Sequence, residues 1–193
     1  MASKPIPSPE VLRQLLRYEP ETGKLFWLTR GPEWFEGGRW TAADQAARFN
    51  TRYAGREAFT AIDGKGYLCG SVLNRLYRAH QVAVAIASGE WPSEEVDHIN
   101  GDRTDNRQCN LRAVSRGENM KNICLRSDNT SGCVGVSWHK DRKRWRAYIA
   151  TPAGVVHIGY FDSLAEAASA RAHMQARVGY HRNHGRPSAG DGA

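Results

Sequence analysis

Residues 95–119 read EVDHINGDRTDNRQCNLRAVSRGEN, and this stretch decides the expected fold. Its first five residues predict a short strand that ends in an Asn-Gly turn. A loop rich in Asp, Asn and Arg follows, and the apolar run Leu111–Val114 predicts the returning strand. Ser115 and Glu118 match a capping box, so a helix is expected to begin at about Ser115. The stretch therefore predicts the element order strand, loop, strand, helix.

Three side chains of this unit are expected to meet around one point. Asp97 and His98 stand at the end of the first predicted strand, and Asn119 lies near the start of the helix. Carboxylate and amide oxygens are hard ligands suited to Mg²⁺, in sites that keep several waters and bind phosphate oxygens. A neutral imidazole is the natural general base near neutral pH. Each residue alone is more often an ordinary turn or cap residue, but together they predict metal-dependent hydrolysis of phosphodiester bonds.

The whole motif resembles the HNH endonucleases of the ββα-metal (His-Me) finger class, specifically the phage homing type. The resemblance rests on VDHINGD at 96–102, DNR at 105–107, NLR at 110–112 and EN at 118–119. A metal in such a site would stabilise charge on the pentavalent transition state and on the leaving 3′ oxygen. The cofactor implied is Mg²⁺ or Mn²⁺, with no small-molecule cofactor.

The resemblance implies a role for individual residues. His98 matches the general base, and Asp97 and Asn119 match the metal ligands. Asn110 matches the middle asparagine, whose side chain ties the loop together and orients the histidine. Asn119 replaces the last histidine of the class name, a variant known in the homing branch. The cysteine pairs that brace some relatives are missing, so packing is expected to hold this finger. Two further candidates for an accessory role are His80 and Arg112.

The distribution of charge points to a polyanionic partner. The chain has 27 Lys and Arg against 20 Asp and Glu, a net charge of +7. Between Lys121 and Arg186 there are eleven basic and four acidic residues, so this segment carries a charge equal to that of the whole chain. Nucleic acid is the commonest partner of such a segment. A basic solvated surface without a partner is the alternative on charge alone.

The C-terminal part of the chain predicts a separate small sheet. A polar linker at 126–132 precedes three strand-like runs at 134–139, 144–150 and 155–160, which turns separate. This pattern indicates a three-stranded antiparallel meander. Ser163–Glu166 matches a second capping box and opens an alanine-rich helix to about Arg177 that can cover one face of the sheet.

The predicted sheet has one apolar and one basic face, and its motifs resemble the plant Apetala/ethylene-response-factor (ERF) DNA-binding domain over roughly 129–180. The matching motifs are GVSW at 135–138, KRWRAYI at 143–149 and IGYFD at 158–162. That family lays its sheet in the major groove, where arginines pair with guanine edges and contact phosphates. A solvated sheet face or an RNA-binding domain is the alternative. The residues that the resemblance turns toward DNA are Ser137, His139, Arg144, Arg146, Tyr148 and His157.

The sequence thus predicts an α+β protein, with a ββα-metal finger nuclease module plus a three-stranded antiparallel sheet packed on one helix. The expected regions are 1–60 without an assigned role, an HNH nuclease domain at 61–123, an Apetala/ERF-like domain at 129–183 and a flexible tail at 184–193. No apolar run reaches the roughly 18–20 residues that span a bilayer. We therefore expect a soluble, cytoplasmic protein with no membrane partner. The resemblance implies a phage or bacterial origin, and the oligomeric state stays open, with a monomer favoured. The four cysteines form no C-x-x-C pair and are expected to be free thiols.

The predicted function is a metal-dependent endonuclease that acts on double-stranded DNA, by nicking or by double-strand cutting. The alternative is a non-catalytic DNA-binding regulator with a degenerate nuclease finger. The intact Asp97, His98 and Asn119 argue against that alternative.

Overall fold

The structure, a computed structural model, describes residues 5–123, 125–126, 128–181 and 184–186. It is a mixed α/β chain with small antiparallel sheets. The chain divides into two compact units. The first comprises the described residues through His98 together with Asp102–Ala113, and the second comprises Ile99–Gly101 and the described residues from Val114 onward.

The first unit contains two three-stranded sheets and, apart from Val114, one two-stranded sheet. The sheet orders are β1-β2-β3, β4-β5-β6 and β7-β8. Two 3₁₀ turns lie at Pro32–Trp34 and Gln108–Asn110. The elements in chain order are α1 Pro9–Leu15, β1 Leu16–Glu19, β2 Lys24–Trp27, α2 Ala42–Tyr53, β3 Glu57–Ala58, β4 Ala61–Ile62, β5 Leu68–Val72, β6 Arg75–Arg78, α3 Ala79–Ser88, β7 Glu95–His98 and β8 Leu111–Val114.

One hydrophobic core joins α1 and β2 of the N-terminal region to the β5–β6 hairpin and to α3. Its buried members include Leu12 of α1, Leu25 of β2, Val72 of β5 and Val82 of α3. The helical spacing of the apolar residues at 11–16 predicts a helix from Glu10 to Tyr18. The helix ends earlier, at Leu15, because Leu16–Glu19 pair with β2 as a strand. The stretch before the hairpin is therefore part of the same folded unit as the hairpin and α3.

Helix α2 lies in the stretch from Gly31 to Asn50 and beyond, for which the sequence predicted no element. Thr41 caps it, and the side chains of Thr41 and Asp44 form a reciprocal capping box. Gly37 and Gly38, which precede the cap, have positive φ angles. The abundance of glycine there made the helix start hard to predict from the sequence. A capping box closed by aspartate instead of glutamate is the feature that would have indicated the helix.

The motif itself has the predicted element order. Strand β7 is followed by a loop, by β8 and by a short helix α4 at Arg116–Asn119, which continues as a 3₁₀ turn at Met120–Asn122. Ser115 and Glu118 form the predicted capping box. The prediction that a helix begins at Ser115 is therefore confirmed, although its α-helical part is only one turn long.

The second unit contains the C-terminal sheet, with strands β9 Val136–His139, β10 Arg144–Thr151 and β11 Gly154–Phe161 in the order β11-β10-β9. Both strand pairs are antiparallel, and the register shifts between Ala147 and Tyr148. Helix α5, Leu164–Val178, contacts all three strands. Its N-cap Ser163 accepts a hydrogen bond from the backbone of Glu166. The small core of this unit includes Val136, Ala147 and Ala167.

None of the helices formed by the described residues is long and apolar enough to cross a membrane. Cys69, Cys109 and Cys133 are free thiols, as the sequence predicts for them, and Cys124 lies outside the described residues.

Candidate active site

Asp97 and His98 are the last two residues of β7, and both side chains are enclosed, with relative exposures of 9% and 3%. Side chains alternate along a strand, so neighbouring residues face different surroundings. His98 meets Asn106 of the following loop, and Asp97 meets Arg112 of β8. The end of β7 therefore places an acid and an imidazole in two distinct, buried environments.

The ring of His98 is held by Asn106, a residue that the sequence analysis did not single out. Nε2 of His98 lies 3.0 Å from Oδ1 of Asn106, and the contact is buried. Nδ2 of Asn106 donates to the backbone oxygen of Thr104 at 3.4 Å, which turns Oδ1 toward the ring. Because a carboxamide oxygen accepts hydrogen bonds, this contact favours the tautomer of neutral His98 that has the proton on Nε2 and the lone pair on Nδ1.

The surroundings of His98 favour its neutral form. Burial lowers the pKa of His98, while the hydrogen bond with Asn106 and the charge of Asp97 act in the opposite direction. The rings of His80 and Tyr67 lie 5.1 and 5.8 Å from the ring of His98, centre to centre. Burial also lowers the pKa of His80, to about 3. Both imidazoles are therefore uncharged at neutral pH, the state in which a histidine can accept a proton.

Arg112 forms an ion pair with Asp97. Its Nη2 and Nε lie 2.8 and 3.1 Å from Oδ2 of Asp97. The Asp97 side chain is 10% exposed and that of Arg112 is 32% exposed. The pairing stabilises an ionised carboxylate in an enclosed position. A guanidinium at this depth can also donate to a phosphate oxygen.

Asn110 forms two hydrogen bonds within the loop between β7 and β8. It is buried, and its Nδ2 donates to the backbone oxygen of Asp105 at 2.7 Å. Its backbone nitrogen donates to the oxygen of Arg107 at 2.9 Å. These contacts connect Asn110 to the loop, and its predicted role in orienting His98 stays a prediction.

The hairpin of β1 and β2 supports the same loop from outside the motif. The Tyr18 hydroxyl donates to the backbone oxygen of Asn106 at 2.8 Å, and the backbone nitrogen of Gln108 donates to the oxygen of Pro20 at 3.0 Å. Gly23 has a φ of +74°, and a Cβ there would lie 2.5 Å from the backbone nitrogen of Arg107. The loop that positions Asn106 therefore rests on the N-terminal region.

Asn119 is the last residue of α4 and belongs to the second unit. Its role as a metal ligand stays a prediction. Within the part of the chain that the structure describes, no group of three or more His, Cys, Asp or Glu side chains is placed to hold a metal ion.

The six residues predicted to face DNA lie on the C-terminal sheet. In the register of the sheet, Arg144 lies opposite His139, Arg146 opposite Ser137, and Tyr148 opposite His157. The alternate positions of β10, Ala147 and Ile149, are fully buried. Side chains on one face of a sheet alternate with those on the other, so the six residues share the face away from this core.

Two arginines of this face are held by neighbours. Arg144 pairs with Asp162, with Nε 2.8 Å from Oδ1, and both side chains are at least half exposed. The guanidinium of Arg146 lies 5.3 Å from the ring centre of Tyr148, and its Nη2 lies 3.5 Å from Oγ of Ser137. The exposed guanidinium of Arg144 and the half-buried one of Arg146, both held in place, are suited to contacts with phosphates.

Comparisons with known proteins concern the motif most directly. Residues 77–121 match the model of the family described as HNH endonuclease. Protein 3.8 of Escherichia phage T7 is 39% identical over 81 residues, which covers 42% of this chain and 66% of the phage protein. The chain thus spans about two thirds of the length of that relative.

Among solved structures, one titled "DNA binding and cleavage by the HNH homing endonuclease I-HmuI" is similar with a TM-score of 0.38 and 16% identity. That similarity covers 80% of this chain and 76% of the other. The segment that holds Asp97, His98, Asn110 and Asn119 thus matches the HNH endonuclease family.

Proposed function

We propose that this protein is an HNH endonuclease that hydrolyses phosphodiester bonds of double-stranded DNA with a divalent metal ion, Mg²⁺ or Mn²⁺. The observation that carries the proposal is the buried ring of His98, which Asn106 holds at 3.0 Å and which adjoins the buried Asp97 in the chain. Both residues lie in the segment that matches the HNH endonuclease family.

The donor set fits a hard divalent ion. Magnesium is usually held by one or two protein carboxylates or other oxygens, together with waters and substrate phosphates. We assign Asp97, which offers a carboxylate, and Asn119, which offers a carboxamide oxygen, as the residues that hold the ion. When bound, the ion would stabilise the charge that builds on the phosphate and on the leaving 3′ oxygen.

The side chains of the chain perform the proton transfer and the positioning. Nδ1 of His98 takes a proton from the attacking water as the water oxygen bonds to phosphorus. The bond from phosphorus to the 3′ oxygen breaks, and solvent protonates that oxygen, which leaves a 5′ phosphate and a 3′ hydroxyl. Asn106 keeps the ring in place through Nε2. Arg112, held at Asp97 in the free protein, donates to a phosphate oxygen of the bound strand.

The second unit supplies the contact with DNA in this proposal, in the manner of the Apetala/ERF domains that its sequence resembles. Ser137, Arg144, Arg146 and His157 belong to the half-buried and exposed face of the sheet. The buried face is occupied by the core under α5. The open face of the β9–β11 sheet is therefore the one that can meet the major groove, and the β7–β8–α4 motif supplies the chemistry.

The direct test is cleavage of supercoiled plasmid by the purified full chain. Addition of Mg²⁺ or Mn²⁺ is expected to convert the plasmid to open-circular or linear forms, and excess EDTA is expected to abolish the conversion. Agarose electrophoresis separates these products. Binding of the plasmid without cleavage under any divalent ion would contradict the nuclease and leave the non-catalytic DNA-binding regulator.

Loss of the Asn106 carboxamide is expected to lower the cleavage rate without preventing DNA binding. Asn106→Ala removes the acceptor that holds Nε2 of His98, and such supporting contacts typically contribute about 10- to 100-fold. Asn106→Asp keeps an acceptor in the same place and is expected to retain more of the rate. Single-turnover cleavage measures both variants. Equal losses in the two variants, with unchanged melting temperatures, would contradict the assigned role of this hydrogen bond.

Removal of two arginines from the open face of the sheet is expected to flatten the salt dependence of DNA binding. Arg144→Ala with Arg146→Ala removes about two phosphate contacts, so the slope of log K against log salt falls in magnitude by about 2. Gel retardation at several salt concentrations measures the slope. The control is Arg126→Ala with Arg177→Ala, which removes the same charge from exposed positions off the sheet. Identical slopes for the two double variants would place the DNA elsewhere.

A further inference from the structure

A cavity of about 880 Å³ lies in the first unit, away from the residues assigned to the chemistry above. Its size falls within the range of ligand sites in proteins. It is called the aromatic cavity below, and the members used in the argument are Trp27, Arg30, Trp34, Phe35, Phe49 and Tyr77.

A buried cation lies in the wall of the aromatic cavity. Arg30 is 8% exposed, and its guanidinium carbon lies 4.0 Å from the ring centre of Phe49 and 4.9 Å from that of Trp27. Its Nε is enclosed and has no hydrogen-bond partner among the described residues. Burial lowers the pKa of Arg30 to about 10. A guanidinium without a carboxylate partner at this depth leaves donors that an anionic ligand would satisfy.

A second enclosed polar group lies in the same wall. The Tyr77 hydroxyl has no hydrogen-bond partner among the described residues, although Tyr77 is only 9% exposed. Buried polar groups are nearly always paired, so an enclosed hydroxyl and an enclosed guanidinium nitrogen without protein partners among the described residues make this wall unusually polar.

The remaining walls indicate what kind of ligand this is. Trp34 and Phe35 are half-buried and present aromatic surface to the cavity. Flat aromatic walls favour a planar ring system, since bases stack on such side chains whatever their sequence. Glu36 also lines the cavity and is exposed. A carboxylate there repels a simple anion but accepts hydrogen bonds from the amino groups of a nucleobase.

We propose that the aromatic cavity binds a single nucleotide, with its base against Trp34 and Phe35 and its phosphate on Arg30. The net charge of +7 is consistent with a phosphate-bearing ligand. A free nucleotide and an unpaired nucleotide within a DNA strand share this chemistry. The proposal goes beyond the nuclease function and gives a role to the region before Thr60, to which the sequence assigned none.

The test measures binding by the full chain in EDTA, so it does not depend on cleavage. The probes are dAMP, inorganic phosphate, deoxyadenosine and a twelve-residue single strand of thymidylate. Quenching of tryptophan fluorescence reports occupancy, because Trp27 and Trp34 line the cavity. Saturable quenching by dAMP is expected, and it is expected to fall strongly in Trp34→Phe, which removes the fluorophore on which the base is proposed to stack; undiminished quenching would overturn that placement of the base.

The decisive variants compare two arginines of the same region. Arg30→Gln is expected to weaken binding of the nucleotide by about tenfold, the loss of one charge-assisted contact. Arg39→Gln, an exposed arginine outside the cavity wall, is expected to change it by less than about twofold. Phe35→Ala removes a partly exposed wall and keeps the comparison open if Arg30→Gln unfolds, which circular dichroism would reveal.

The pattern across probes separates the outcomes. Tighter binding of the single strand than of dAMP, weakened by Arg30→Gln, identifies an unpaired nucleotide of DNA as the ligand, and the reverse order identifies a free nucleotide. Tight binding of the single strand that Arg30→Gln leaves unchanged places the strand outside the aromatic cavity and overturns that source. Competition by inorganic phosphate as strong as by dAMP would overturn the nucleotide and leave a simple anion site. Equal binding of dAMP and deoxyadenosine would overturn the contact with Arg30. Failure of every probe to quench would overturn the proposal entirely.

Discussion

His98→Ala is expected to lower the rate of DNA cleavage by about 10²- to 10⁴-fold, the usual contribution of a general base. The reason is that His98 is the residue assigned to take the proton from water, and its ring is held in place by Asn106. Binding of DNA is expected to persist in this variant, because the contacts assigned to DNA lie on the C-terminal sheet. Single-turnover cleavage of a labelled duplex measures the rate, and gel retardation measures the binding.

The control for His98→Ala is His173→Ala, which removes an exposed histidine from helix α5. It is expected to cleave at the wild-type rate. His98→Asn leaves a smaller void in the buried position and serves as a second variant if the alanine lowers the melting temperature. Cleavage at the wild-type rate by a folded His98 variant would remove the proposed base and, with it, the mechanism.

Asp97→Asn is expected to lower the cleavage rate at saturating Mg²⁺ by about 10³-fold. Metal-ion catalysis contributes several kcal/mol of transition-state stabilisation, and each 1.4 kcal/mol corresponds to about tenfold in rate. The substitution keeps the shape of the side chain but removes the charge that attracts the ion and that pairs with Arg112. Cleavage rates over a range of Mg²⁺ concentrations measure the effect.

Glu95→Gln is the matched control for Asp97→Asn. It removes a carboxylate from the same strand two residues earlier, at an exposed position. Its rate and its dependence on Mg²⁺ are expected to equal those of the wild type. An Asp97→Asn variant with an unaltered Mg²⁺ dependence would show that the ion is held by other residues.

Elements whose signals are local were predictable from the sequence. The capping box of Ser115 and Glu118 joins residues three apart. In β10, the apolar Trp145, Ala147 and Ile149 alternate with more polar residues, which is typical of a strand with one buried face. Helix α2 was missed because its cap uses aspartate and follows two glycines.

The candidate site was predictable where its residues adjoin in the chain, and less so where it depends on folding of the loop. Asp97 and His98 stand side by side, so the sequence alone places them at one strand end. The contact of Asn106 with His98 requires the loop to close, and the pairing of Arg112 with Asp97 requires the two strands to be in register. The residues that line the aromatic cavity likewise come from separate elements, so no short sequence motif predicts it.

The β1–β2 hairpin supports the loop between β7 and β8, so the motif depends on residues outside it. Tyr18, Pro20 and Gly23 fix the backbone on either side of Asn106 and Arg107. Of these supporting residues, Tyr18 lies 88 positions before Asn106 in the chain. Transplanting the motif alone into another scaffold would therefore carry over the reactive side chains and leave behind the framework that aligns them.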